Sequence, residues 1–228
     1  MKGLRFDLEA LYFACFRNIA STSVIQSYNI PPFTTIRGLI ANCMGLPRFP
    51  DYKVQLFLQE ELKIGVTPTD FNAIISNKTV ELAKILKQVK RETIQRAKLW
   101  SFPSSPMFRE FLVNPSYRCY LIGEDETIEE IEVKLEDPER PLYIGQSDDL
   151  VNISNISMFD TEETKSKEVW SVIEGVYPGC EIVRIPYKFR KDGKYLFTKT
   201  VSIPFNVPIK LDEKTDCYTT DKGCICAY

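Results

Sequence analysis

The 228-residue sequence contains no histidine, which removes at once the commonest general base and the commonest metal ligand. Any catalytic scheme would have to rest on Lys, Tyr, Ser, Cys or carboxylates. It has no run of about eighteen apolar residues to cross a bilayer, so no membrane contact is expected. The opening "MKGLRFDLEALYFACF" places Asp7 and Glu9 inside what would have to be the apolar stretch of a signal peptide, and a soluble, cytoplasmic protein is expected. Neither G-x-x-x-x-G-K-[ST] nor G-x-G-x-x-G occurs, so nucleotide phosphates have no recognisable cradle and no cofactor is expected.

The seven cysteines (Cys15, Cys43, Cys119, Cys180, Cys217, Cys224, Cys226) are odd in number and scattered. They fit reduced, mostly buried thiols better than a disulfide framework. Cys217, Cys224 and Cys226 have C-x6-C-x-C spacing, but a zinc site needs a fourth ligand and only another cysteine such as Cys180 could supply it. No metal is expected. A nucleophilic Cys or Ser would have no histidine to serve it, and although Lys or Tyr can catalyse metal-free RNA cleavage, no spacing selects a pair. No catalytic residue is assigned.

What is present is ample core material, 44% hydrophobic with 12% aromatic, enough for one large domain or two small ones. The net charge of −2 hides segregation. Residues 78–98 hold seven basic side chains against two acids, and residues 184–199 hold six against one. Between them, residues 124–140 hold nine acids against two bases, a surface that would repel RNA and face solvent or a basic partner.

Leu4, Phe6 and Leu8 share one parity and predict a first strand. In "IPPFTTIRGLIANCMGLPR", Ile36, Leu39, Ile40, Cys43 and Met44 follow the spacing of a helical stripe. Pro31-Pro32 with Thr34 or Thr35 as cap marks its start, and Gly45 before Pro47 its end. Gly38 within it should cost roughly 1 kcal/mol relative to alanine, which points to close approach of another backbone, the sheet or a bound ligand. Residues 53–64 are ambiguous between strand and helix.

Asn77 is expected to cap a helix from Lys78 to about Leu99, with Lys84, Lys87, Arg91 and Lys98 on its basic front. That front suits phosphates or is simply a solvated face. Further strands are expected around Arg118–Ile122 and after Gly145, with the acidic segment a weak helix or an exposed hairpin ending at Pro138. In "YKFRKDGKY", Asp192-Gly193 predicts a hairpin turn. Its Tyr187, Phe189 and Tyr195 interleave with Lys188, Arg190, Lys191 and Lys194, a mixture that stacks bases while neutralising phosphates, and that is equally ordinary on a surface hairpin. The order of elements predicts an α+β fold, helices on one face of an antiparallel sheet, with a ferredoxin-like core the natural candidate.

"LRFDLEALYFACFR" leading to "PPFTTIRGLIANCMGL", then "NPSYRCYLI", then "PLYIGQSDDLVNI" resemble in order the Cas-five family of CRISPR-associated proteins. The matching positions are Phe16-Arg17, Pro32, Thr34 or Thr35, Gly38-Leu39, Gly45-Leu46 and Ile144-Gly145-Gln146-Ser147-Asp148. The resemblance implies an RRM-like RAMP domain over residues 1–160 with an inserted helical thumb at about 50–110, and a β-rich C-terminal portion over 161–228. It implies a non-catalytic subunit of a type I Cascade that holds the 5′ handle of crRNA beside Cas-seven backbone and large subunits, with target DNA met through the complex. Arg17, Thr35, Arg37, Lys84, Lys87, Arg91, Lys98, Tyr187 and Lys188 are the RNA-contact candidates, from the resemblance and the charge segregation together. The glycine-rich loop common in RAMP proteins is not recognisable here. One family subtype cleaves precursor RNA with residues that can include Tyr, Lys and His; lacking histidine, this chain resembles the non-cleaving scaffold. Its rivals are a metal-independent endoribonuclease and a protein-only adaptor.

Overall fold

The computed structural model describes residues 1–21, 24–47, 51–70, 78–86, 104–193 and 195–228. Its centre is a four-stranded antiparallel sheet of β1 (Lys2–Ala10), β5 (Lys63–Pro68), β8 (Ser116–Gly123) and β9 (Val151–Asp160), in the order β5-β8-β1-β9. Leu4, Phe6 and Leu8 are fully buried on one face of β1, as their alternation predicts. That face is covered by α1 (Phe33–Cys43), α2 (Asp51–Glu61) and α3 (Asp125–Glu136), which contribute Ile36, Ile40, Leu58, Ile128 and Ile131 to the main core.

Helices α1 and α3 follow from their sequence, whereas α2 occupies most of the stretch whose pattern fits strand and helix alike. In α1 the apolar stripe is buried and Gly45, at φ +70°, supplies the left-handed exit. Neither threonine caps the start: Pro32 is the capping residue and no side chain caps the N-terminus. The helix begins directly after Pro32, so Thr34 and Thr35 fall inside its first turn. In α3, Asp125 and Glu126 sit at the positive end of the helix dipole and Lys134 at the negative end. The remaining acids face outward and Lys2 pairs with Glu129. The acidic segment is thus a helix, with Ile128, Ile131 and Leu135 as its buried stripe.

Gly38 has a different explanation from a close-packed backbone. A Cβ there would meet only the Gln55 amide of α2, at 3.6 Å, an ordinary contact. Gln55 itself donates to the Thr34 carbonyl at 2.9 Å. Gly38→Ala is therefore expected to raise stability by up to about 1 kcal/mol through helix propensity alone, a rise of roughly 2–4 °C in Tm; a fall in Tm would show the helix pair to be packed more tightly than this.

The opposite face of the sheet is also filled. β14 (Ile209–Thr220) and β15 (Gly223–Ile225) lay Tyr218 and Ile225 against Tyr120 and Ile122, joined by Trp170 and Phe159. On that face Asp7 accepts two hydrogen bonds from Arg118, at 2.7 and 2.8 Å, and one from Asn155. β10 (Glu163–Val169) pairs with β14. β12 (Cys180–Phe189) and β13 (Leu196–Pro204) form the hairpin around Asp192-Gly193, with the short β11 (Ile173–Glu174) on β13. Val172, Ile185, Val201 and Ile203 join the same core as β1 and α1.

The largest departure from expectation lies at residues 78–86, where a strand, β6 (Lys78–Leu86), replaces the predicted helix and pairs antiparallel with β7 (Ser104–Val113). Nine residues in which Val80, Leu82 and Leu86 alternate satisfy both periods, and pairing with β7 decides between them. The rest of the predicted helix, with Lys87, Arg91 and Lys98, lies outside the described residues.

Candidate nucleic-acid interface

Two adjoining clefts of ≈ 660 and ≈ 590 Å³ share Thr34, Thr35 and Gly145 and so form one groove at the N-terminal end of α1. The uncapped helix start carries no acidic residue in its first turn, which suits an anion. The hydroxyls of Thr34 and Thr35 have no partner among the described residues and line both clefts.

One wall is built from β3 (Phe16–Arg17), held on β4 (Ser27–Tyr28) by strand pairing and by the Ser27 hydroxyl, which accepts from the Phe16 N–H at 3.0 Å. This leaves Arg17 exposed beside the groove. Arg109 on β7 stands next to it, with its guanidinium 5.5 Å from the Phe111 ring centroid and one Nη donating to Gln146 Oε1 at 2.8 Å. Its Nε is buried without a partner among the described residues. Arg140 lies at the far end and caps the exit of α1 by donating to the carbonyls of Gly45 and Leu46, both at 2.8 Å.

The turn at Gly145 closes the groove. Gly145 adopts φ +85°, and a Cβ there would lie 2.7 Å from the Cys15 carbonyl oxygen. Beneath it the buried Asp149 carboxylate accepts from the N–H groups of Cys15 and Gln146, at 3.1 and 3.3 Å. Burial pushes that carboxyl above its ordinary range, and the two N–H donors only partly offset this. Gly145-Gln146-Ser147-Asp148 is therefore a rigid corner seated on the chain before β3.

A profile of the family described as "CRISPR-associated protein (Cas_Cas5)" matches residues 3–185. The chain belongs to that Cas5 family. The match spans the central sheet, the three helices of the described residues and the Gly145 corner. Among solved structures, a chain of a "CRISPR RNA-guided surveillance complex" superposes with TM-score 0.58 at 13% identity, covering 90% of this chain and 91% of that one. A CRISPR protein from Archaeoglobus fulgidus gives TM-score 0.58 at 16% identity, covering 99% and 98%. No curated protein matches the chain.

Against this Cas5 fold the expected contact residues separate. Arg17 and Thr35 line the groove. Arg37 does not: it is fully buried, and its two Nη groups donate to the carbonyls of Tyr187 at 2.6 Å and Tyr228 at 3.0 Å. The first carbonyl is free because the β12–β13 register slips between Pro186 and Lys188, leaving Tyr187 as a bulge. Burial lowers the Arg37 pKa to about 10, so it remains a cation at neutral pH. Arg37 is an internal tie rather than a phosphate contact.

Tyr187 is edge-on to Phe33 and Tyr228, with the ammonium groups of Lys188 and Lys199 5.1 and 4.6 Å from its centroid. These neighbours occupy both residues in cation–π packing. The exposed aromatics of that hairpin are Tyr195 and Phe197, flanked by Arg190 at 5.5 and 6.0 Å. Lys84 lies on β6 opposite Pro106, and Lys194 outside the described residues. Arg109 and Arg140 escape sequence reasoning, and Gln146 enters it only as part of the Gly145 turn. Arg140 ends a strongly acidic segment and Arg109 sits in "FREFL", and neither shows its place until β7 and the Gly145 corner meet.

Proposed function

We propose that this Cas5-family chain is a non-catalytic subunit of a cytoplasmic CRISPR surveillance complex and holds the 5′ handle of crRNA in the groove at the start of α1. The observation that carries this is the convergence there of an uncapped helix N-terminus, two threonine hydroxyls without a partner among the described residues and the exposed Arg17 guanidinium. Such a groove suits the backbone of single-stranded RNA. The strand order supports a ferredoxin-like (RRM-like) RAMP core. Helices connect β1 to β5 and β8 to β9, and each helix-linked pair is parallel across an antiparallel neighbour. The β6–β7 ribbon lies within or next to the segment proposed as the inserted thumb. Backbone Cas-seven and large subunits are the proposed protein partners, with target DNA met through the assembly.

Charge reversal at Arg17 is expected to weaken binding of a 5′-handle RNA and reduce its salt slope by about 1. Unchanged affinity and slope would sink the groove assignment. The same RNA incubated with the wild-type chain and a chelator is expected to stay intact, and a cut at one position would replace the scaffold reading with a nuclease.

A further inference from the structure

Beyond the groove lies a third cleft of ≈ 530 Å³, reached past Arg109 and Gln146. Its character differs. Tyr12 is 74% exposed and Phe13 47%, although both are large aromatic side chains on a folded surface, which marks a contact site. Phe13, on β2 (Phe13–Ala14), meets Phe111 at 5.7 Å between centroids with the planes tilted by 57°. The cleft also holds a carboxylate, Asp148, which is exposed.

A phosphate does not suit this cleft. Asp148 repels it, and the Arg109 guanidinium is already engaged with Phe111 and Gln146. A purely apolar protein side chain fits poorly too, because it would desolvate Asp148 without replacing the lost water. The exposed aromatic rings of Tyr12 and Phe13 instead match the flat face of a nucleobase.

The polar atoms at the rim narrow the choice of base. Gln146 accepts from Arg109 through Oε1, so its amide nitrogen remains a donor with no partner among the described residues. Asp148 presents a carboxylate on the same corner and accepts a 3.4 Å bond from the Ser147 hydroxyl. A donor beside a bidentate acceptor is the complement of the Watson–Crick edge of guanine, which offers the O6 acceptor and the adjacent N1–H and N2–H donors. Adenine, cytosine and uracil each lack two adjacent donors on that edge.

We infer that the Tyr12–Phe111–Asp148 cleft is a guanine-selective base site at the end of the RNA groove. This rests on the RNA-binding reading above. It assigns the cleft to sequence selection and leaves backbone grip to Arg17 and the start of α1.

The test uses the full chain and nine 5′-labelled octaribonucleotides: oligouridine and the eight variants carrying a single guanosine. Wild-type protein is expected to bind one single-guanosine octamer about tenfold more tightly than oligouridine, the discrimination of one good bidentate contact. Asp148→Asn should abolish that preference while leaving oligouridine affinity unchanged. Phe13→Ala should lower the preference by removing a stacking wall, and R17E should weaken all nine octamers by the same factor. Equal binding of all nine by the wild type, or a preference that survives Asp148→Asn, overturns the base site while the groove reading stands. Failure of the wild type to bind any octamer overturns both.

Discussion

Arg37→Ala is expected to unfold the protein at markedly lower urea concentration, a loss of about 3 kcal/mol. Two hydrogen bonds from a charged donor contribute roughly 1.5–3 kcal/mol each, partly offset because a buried cation no longer has to be desolvated. The Tyr187 carbonyl, already outside the β12–β13 ladder, would lose the Arg37 bond recorded at 2.6 Å. For a chain of this size the loss corresponds to a fall of roughly 6–12 °C in Tm. Arg37→Met separates packing from polar contact, since it keeps most of the packed stem and removes the charged donors. If Arg37→Ala left Tm within 1–2 °C of wild type yet weakened RNA binding, the internal-tie assignment would fall and a direct RNA contact would replace it.

Gly145→Ala is the second substitution with a large expected effect. At φ +85° an L-residue costs about 1 kcal/mol or more, and the added methyl would meet the Cys15 carbonyl oxygen at 2.7 Å, a backbone atom that cannot rotate away. The corner must lift off β3, weakening the bonds to Asp149 and moving Gln146 away from Arg109. The expected loss is about 2–4 kcal/mol in urea denaturation, with weaker RNA binding as a second readout. Gly38→Ala serves as the control, being a glycine of the same groove whose added methyl meets nothing closer than 3.6 Å. Equal stability of the two variants would contradict the close seating of the Gly145 corner.

These two positions mark the limits of what the sequence makes legible. Leu4, Phe6 and Leu8, the α1 stripe and the Gly45 exit are local patterns, and each predicts its element. The Gly145 break is local too, but the reason for it, Cys15, is remote in sequence and adjacent only in the fold. Arg37 is harder. A basic residue in an amphipathic helix reads as surface charge, and its acceptors stand 150 and 191 positions later. Residues 78–86 fail for a different reason: their side chains fit a helix and a strand alike, and the decision belongs to β7. Arg109 and Gln146 become a pair only when β7 meets the Gly145 corner, a meeting no local pattern encodes.

The tie between Arg37 and residues 187 and 228 also constrains how the core is completed. The two carbonyls to which the buried Arg37 guanidinium of α1 donates lie 150 and 191 positions later in the chain, and Tyr228 also exchanges two 3.0 Å backbone bonds with Ile64 of β5. The first helix and the last described residues are thus joined through one buried side chain, so this part of the core is complete only when residues 187 and 228 are in place.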